Sequence, residues 1–213
     1  MLPWVFCGMI SIRRYIQADL EALYTICLAT GDHGRDASTI YEDPELIGHI
    51  YAGPYGVLQP DLAFVAQDGD GVVGYALGVT DTPAWDDLLE RAWWPALRAR
   101  YSDPSAVPET DRTADQRLAA MIHHPQPAPM AVTRPFPAHL HIDLLPRGQG
   151  KGVGTALFDA WARLAMERGA QCAHIGANPY NDRAVRFWGK LGFSELALDS
   201  AEASRTVWMG RAL

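Results

Sequence analysis

Pro146-Arg-Gly-Gln-Gly-Lys-Gly-Val-Gly-Thr155 puts glycine at 148, 150, 152 and 154, every second position of one short segment. Before it, His139-Leu-His-Ile-Asp-Leu-Leu145 reads as a strand stopped by Pro146. After it, Gly152–Arg168 carries apolar residues at 153, 156, 157, 160, 161 and 164, the spacing of one helix face, and ends at Gly169. A helix N-terminus presents unpaired N–H groups and a partial positive charge, and glycine lets the backbone approach an anion closely and take positive φ. The segment therefore reads as a pyrophosphate cradle between a strand and the helix it opens.

Two familiar nucleotide loops fail at named residues. A dinucleotide fingerprint needs a third glycine where Val153 or Thr155 stands, and a Walker A loop needs Ser or Thr after Lys151, where Gly152 stands.

Working outward, Gln171–Ala177 reads as a strand and Asn181–Leu191 as a helix with Ala184, Phe187, Trp188 and Leu191 on one face, closed by Gly192. Arg205–Arg211 is expected as a final strand. Toward the N-terminus, Ile10–Tyr15 alternates as a half-buried strand does, and a helix follows with Leu20, Leu23, Tyr24, Cys27 and Leu28 as its stripe. The spacing predicts a short helix over Pro44–Tyr51. Leu62–Ala66, the turn Asp68-Gly-Asp-Gly71 and Val72–Val79 read as a β-hairpin. Residues 83–123 read as two helical pieces, Trp85–Tyr101, kinked or split by Pro95, and Thr110–His123. His124–Pro137 holds five prolines and reads as an extended connection with no helix. The expectation is one α/β domain over 1–213, with a mixed, mostly antiparallel sheet, helices on both faces, and 83–137 inserted between two strands of that sheet.

The chain has 213 residues, 48% of them hydrophobic, enough for a core without staples. Eighteen basic against 25 acidic residues give a net charge of −7, which excludes a nucleic-acid binder dependent on neutralising phosphates. Cys7, Cys27 and Cys172 form no close pair, so a disulfide framework or zinc ribbon is not expected and a reduced, cytoplasmic protein is. Met1–Gly8 is short and lacks a basic region, which argues against a signal peptide, and no run of 18 apolar residues exists to span a membrane.

Gln149-x-x-Gly152-x-Gly154, with Leu144-x-Pro146 ahead of it, resembles the Q/R-x-x-G-x-G/A loop of the GNAT superfamily of N-acetyltransferases. Asn181-x-x-Ala184-x-x-Phe187-Trp188-x-Lys190-Leu-Gly192-Phe193 resembles a second block of that family at matching spacing. More narrowly, Tyr41–Gly48, Gly53-Pro-Tyr55, Val72–Val79, His141–Arg147 and Asn178-Pro179 are similar to the acetyltransferase-like domain at the C-terminus of animal O-GlcNAc hydrolases. That domain has a degraded glycine loop. Here the loop is intact, which marks the chain as resembling a stand-alone bacterial-type relative that kept its cofactor site.

The resemblance implies a GNAT fold splayed between strands near 139–145 and 171–177, with acetyl-CoA as cosubstrate. It implies that the main chain of Gln149, Gly150, Lys151, Gly152, Val153, Gly154 and Thr155 holds the pyrophosphate, and that Leu144 and Leu145 pair with pantetheine. An N–H near Leu144 would polarise the thioester carbonyl, and Asn181, Phe187 and Trp188 would line the thiol end. Transfer would be direct, from thioester to a small-molecule or peptide amine, with no acyl-enzyme, no nucleic acid and no membrane; a homodimer is left open.

A base must lie near the acetyl group, and His139, His141 and Asp143 share one strand face unless a bulge resets the register. Asp143 is the first choice and His141 the second; a purely structural role for all three is the competing reading. The family's usual proton donor to the CoA thiolate is a tyrosine, and Trp188 stands in its place, with Tyr180 nearby but out of register. That substitution motivates the alternative of a non-catalytic acetyl-CoA-binding module. His139-x-His141-x-Asp143 also resembles the start of the metallo-β-lactamase zinc motif, which requires a further His where Leu144 stands, so a metallohydrolase is the remote alternative and no metal ligand is assigned. Trp85, Trp93 and Trp94 would wall an acceptor pocket or simply pack a helix. His123 and His124 are expected at the surface.

Overall fold

A computed structural model describes residues 5–7, 10–198 and 206–213. Most of the opening segment Met1–Gly8 and the first residue of the expected last strand, Arg205, lie outside these. The strands are β1 (Val5–Cys7), β2 (Ile10–Arg14), β3 (Ala63–Asp68), β4 (Gly71–Val79), β5 (Ala138–Leu144), β6 (Cys172–Ala177), β7 (Ser194–Glu195) and β8 (Val207–Ala212). They form one sheet in the order β1-β2-β3-β4-β5-β6-β8-β7. Every neighbouring pair is antiparallel except β5 and β6.

The helices are α1 (Leu20–Thr30), α2 (Leu46–Tyr51), α3 (Gly53–Leu58), α4 (Thr82–Ala92), α5 (Trp94–Arg100), α6 (Ala114–His123), α7 (Met130–Thr133), α8 (Val153–Glu167) and α9 (Asp182–Lys190). They cover both faces because the central strands are apolar on both. One core sets Leu157, Phe158 and Trp161 of α8 and Trp188 of α9 against Leu140, Ile175 and Met209. The other sets Leu23 and Ile26 of α1, Tyr55 of α3, Trp85 of α4 and Ile122 of α6 against Val65, Tyr75 and Leu77. Each fully buried Leu or Phe here contributes about 1.5–3 kcal/mol. No helix among the described residues is long and apolar enough to cross a membrane.

The turn of the β3–β4 hairpin is Asp68–Gly71, where Asp68 Oδ1 accepts the Asp70 N–H at 2.9 Å and Gly71 takes φ +115°. The segment between β4 and β5 folds as α4 to α7, of which α4, α5 and α6 pack on the second core and add to the layer already formed by α1 to α3. Pro95 lies in the first turn of α5, where its missing N–H costs nothing, and the break falls at Trp93. One helix was not anticipated and one expectation needs correction. Gly53–Leu58 forms a helix that its two glycines and a proline concealed, with Pro54 placed in the first turn. The proline-rich 124–137 stretch is not helix-free: Pro129 caps α7, which fits in the gap before Pro135.

The feature that positions the site is the β5–β6 seam. These parallel strands pair only at Ala138↔Ala173 and His139↔His174, and then diverge. Leu140–Leu144 therefore keep β4 on one edge and, among the described residues, have no strand on the other.

Candidate functional site at the glycine loop and the open edge of β5

The chain leaves β5 through one tight turn, in which the Gly148 N–H donates to the Leu145 carbonyl at 2.9 Å. Arg147 Nε donates to Asp68 Oδ2 at 3.0 Å and ties this turn to the hairpin. Gly150 and Gly152 then take φ +73° and +76°, a conformation that costs side-chain-bearing residues about 1–2 kcal/mol. Gly152 is the N-cap of α8, and the Ala156 N–H donates to its carbonyl at 3.0 Å. The N–H groups of Val153, Gly154 and Thr155 precede that first helical bond and face outward from the helix start. The side chain of Val153 is buried in the core, so only its main chain serves the loop. Lys151 and Thr155 are exposed beside it.

Two of the glycines serve packing. A Cβ on Gly154 would lie 3.0 Å from the Phe187 ring, and one on Gly148 would lie 3.3 Å from Val73 Cγ2. Gln149 donates from Nε2 to the Leu144 carbonyl at 2.7 Å, pinning the loop back onto the strand it leaves.

β5 pairs with β4 in unbroken register from His139 to Leu144, so no bulge intervenes. The Leu145 N–H donates to Val73 at 2.8 Å. By the alternation of an antiparallel ladder, the main-chain groups of Leu144 and Ile142 point the other way, to the edge that β6 has left. Ile142 and Leu144 pack their side chains toward α8, and His139, His141 and Asp143 share the opposite face.

On that face Asp143 Oδ2 accepts the Tyr75 hydroxyl at 2.6 Å. Burial raises the Asp143 carboxyl above its ordinary value, against the pull of the Tyr75 hydrogen bond. Burial, with the Asp143 charge, raises the Tyr75 hydroxyl as well, so it keeps its proton. His141 Nε2 lies 3.1 Å from the Tyr55 hydroxyl, and burial with neighbouring His174 pulls its value down to about 4. His139 is buried, 2.7 Å from Tyr55 through Nε2 and 2.7 Å from Thr82 through Nδ1. Burial and the other two histidines hold it well below the ordinary value, and His174, which donates from Nδ1 to the Phe136 carbonyl at 2.6 Å, is lowered by burial. At neutral pH the site thus holds three uncharged imidazoles and one carboxyl group.

Among the described residues no group of three or more His, Cys, Asp and Glu gathers around a metal position. His139 spends both nitrogens on Tyr55 and Thr82, so the His139-x-His141-x-Asp143 segment is not a ligand set and the metallohydrolase expectation is dropped.

The second motif sits across the seam on α9. Asn181 Oδ1 accepts the Ala184 N–H at 3.0 Å, which is the cap of that helix. Phe187 closes over Gly154. Trp188 is buried among Phe158, Phe187 and Phe193, with ring centroids 6.4, 5.0 and 5.1 Å away. Tyr180 is 85% exposed. Trp85 stacks on Tyr55 at 4.7 Å, Trp94 is buried, and Trp93 donates from Nε1 to the His49 carbonyl at 2.8 Å. His124 is exposed beside Asp103, and half-buried His123 meets the Tyr101 carbonyl.

Tyr55, Tyr75 and Thr82 are the residues that sequence reasoning left without a role. Tyr55 lies in the quoted Gly53-Pro-Tyr55 block, which is the one signal that pointed to it.

A sheet opened on one parallel seam, beside a glycine-rich helix start, is the architecture of the GNAT acetyltransferases. The profile described as the Acetyltransferase (GNAT) family matches residues 13–193, and the chain belongs to that family. Rat protein O-GlcNAcase is 26% identical over 204 residues, which cover 95% of this chain and 22% of that protein, so the chain spans about a fifth of the length of the curated relatives it matches. The crystal structure of SsHAT is 37% identical with a TM-score of 0.85, covering 96% of this chain and 98% of that one. A phosphinothricin acetyltransferase from Sinorhizobium meliloti, solved in complex with AcCoA, shares the fold at 17% identity and a TM-score of 0.56, covering 97% of this chain and 89% of that one.

Proposed function

We propose that the chain is an acetyl-CoA-dependent N-acetyltransferase acting on a small-molecule or peptide amine. The observation that carries this reading is the joint placement of the unpaired β5 edge and the α8 N-terminus, with left-handed glycines at 150 and 152 between them. This arrangement fits the cofactor: main-chain N–H groups of residues 150–155 suit a pyrophosphate, and the open edge at Ile142–Leu144 suits an extended amide-bearing arm. Bound acetyl-CoA would supply an activated acetyl thioester. The structure of an AcCoA complex in the Sinorhizobium meliloti relative supports acyl-CoA use across the fold.

Leu144 N–H would donate toward the thioester oxygen, where charge develops. Asp143 and His141 are two residues apart on one strand face, about 7 Å between their Cα atoms, so an acceptor amine would lie between their side chains. Burial makes Asp143 more basic than an ordinary carboxylate and lowers His141 to about 4, so Asp143 suits the base and His141 an orienting acceptor. Asp143 would take the amine proton as the N–C bond forms and the C–S bond breaks with its electron pair on sulfur.

A second reading is a module that binds acetyl-CoA without turnover. It is favoured by Trp188, which is packed in the core where the family places a tyrosine acid. Titration calorimetry with acetyl-CoA and a thiol-release screen over amines, amino sugars, aminoglycosides and basic peptides test both. Binding with turnover supports the transferase, binding without turnover supports the module, and absence of binding overturns both.

A further inference from the structure

Five groups form one chain of hydrogen bonds behind Asp143: His141 Nε2 at 3.1 Å from Tyr55 Oη, Tyr55 Oη at 2.7 Å from His139 Nε2, His139 Nδ1 at 2.7 Å from Thr82 Oγ1, and Thr82 Oγ1 at 2.7 Å from the Pro137 carbonyl. The direction of every bond follows from the last one. The Pro137 carbonyl accepts the Thr82 N–H at 2.8 Å through one lone pair, and a carbonyl oxygen only accepts, so the 2.7 Å contact of the Thr82 hydroxyl places its single proton on the other. Thr82 must then accept from His139 Nδ1–H. Neutral, buried His139 therefore has a bare Nε2, which takes the single Tyr55 proton. Tyr55 has no proton left for His141, so His141 must donate from Nε2. Its Nδ1 is then the bare nitrogen, and that atom has no partner among the described residues.

We propose that Tyr55 is a positioning residue that, anchored through His139 and Thr82 to the Pro137 carbonyl, locks His141 in its Nε2–H tautomer and leaves Nδ1 as a hydrogen-bond acceptor beside Asp143. The tautomer assignment stands on these distances and on buried His139 being uncharged; its use, to hold the second N–H of the acceptor amine and turn its lone pair to the thioester, rests on the acetyltransferase reading. The chain is not a drain for protons. A proton passed from His141 through Tyr55 would end on a buried His139 whose other nitrogen faces a hydroxyl already committed to a carbonyl.

The test is nitrogen NMR of histidine-labelled protein at pH 7 without any cofactor, with His141 assigned by comparison with His141→Gln. The expected result is a protonated-type shift at Nε2 and an unprotonated-type shift at Nδ1. Tyr55→Phe removes the acceptor for Nε2–H, and Thr82→Val, three hydrogen bonds away from His141, lets the chain reverse; each is expected to populate the Nδ1–H form of His141. Thr82→Val leaves Tyr55 packed on Trp85, so it serves if Tyr55→Phe does not fold. A native His141 that is Nδ1–H or charged at pH 7 overturns the proposal, as do unchanged His141 shifts in every variant that folds. Failure to bind acetyl-CoA would overturn the acetyltransferase reading and leave this result intact.

Discussion

Tyr75 and Asp143 stand directly opposite each other on β4 and β5, and the Tyr75 hydroxyl donates to Asp143 Oδ2 at 2.6 Å. That bond lowers the carboxyl's value while burial raises it, and burial prevails. Tyr75→Phe removes the larger of two lowering partners and leaves Thr30. The acid limb of the rate profile is expected to move to higher pH, with KM for acetyl-CoA unchanged. A pH–rate profile checks it, and a limb at its original position would remove Asp143 from the role of base.

Asp143→Asn is expected to abolish turnover and to raise the melting temperature at pH 7. A carboxyl whose folded value lies above its unfolded value of about 3.9 contributes stability below that value and loses it as pH rises through the folded one. The asparagine avoids the loss, so the stabilisation relative to the native chain should vanish near pH 3. Thermal melts across that range decide it.

The histidines carry the opposite sign. His141 falls from 6.5 to about 4, so it stabilises the fold above pH 6.5 and loses that contribution as pH falls toward 4, on the order of 3 kcal/mol at full effect. His141→Gln, compared with the native protein by denaturant unfolding at each pH, should show a flatter dependence between pH 4 and 6.5.

Gly152→Asp places a side chain at φ +76° and a negative charge at the helix start. It is expected to weaken acetyl-CoA binding at least tenfold by calorimetry while leaving the far-ultraviolet spectrum unchanged. Unaltered affinity would remove the loop from the binding site.

Trp188→Ala would empty a site walled by three phenylalanines and cost about 3–5 kcal/mol. Trp188→Tyr is expected to be destabilising too and not to raise kcat, because the new hydroxyl would enter an apolar cluster. A gain in kcat would show that position to be within reach of the reacting thiol.

The glycine loop, both helices after it and the His139/His141/Asp143 face were legible because each rests on local rules: positive φ at Gly150 and Gly152, a 3.6-residue stripe, and two-residue alternation. The parallel seam came from resemblance, because pairing across 35 residues leaves no local trace. Tyr55 and Thr82 were illegible for the same reason. They lie 84 and 57 residues from His139, and nothing in their own surroundings states which polar partner the fold will bring to them. Helix α3 was hidden by Gly53, Pro54 and Gly56, whose propensities oppose a helix. It forms because Pro54 sits in the first turn, and because a Cβ at Gly53 would come within 2.7 Å of the Tyr24 ring, so only glycine lets α1 and α3 approach this closely.

The two residue pairs that join β5 to β6 divide the sheet mechanically. Strands β1 to β5 lie on one side, and β6, β8 and β7 lie on the other, with α8 as the splint that spans them through the core. A molecule lying along the open edge would act as the ladder that the polypeptide omits. Amide exchange in β6 and β8 should therefore slow when the slot is filled, even at residues that never touch the ligand, and the cosubstrate would serve as mortar for the fold as well as a source of acetyl.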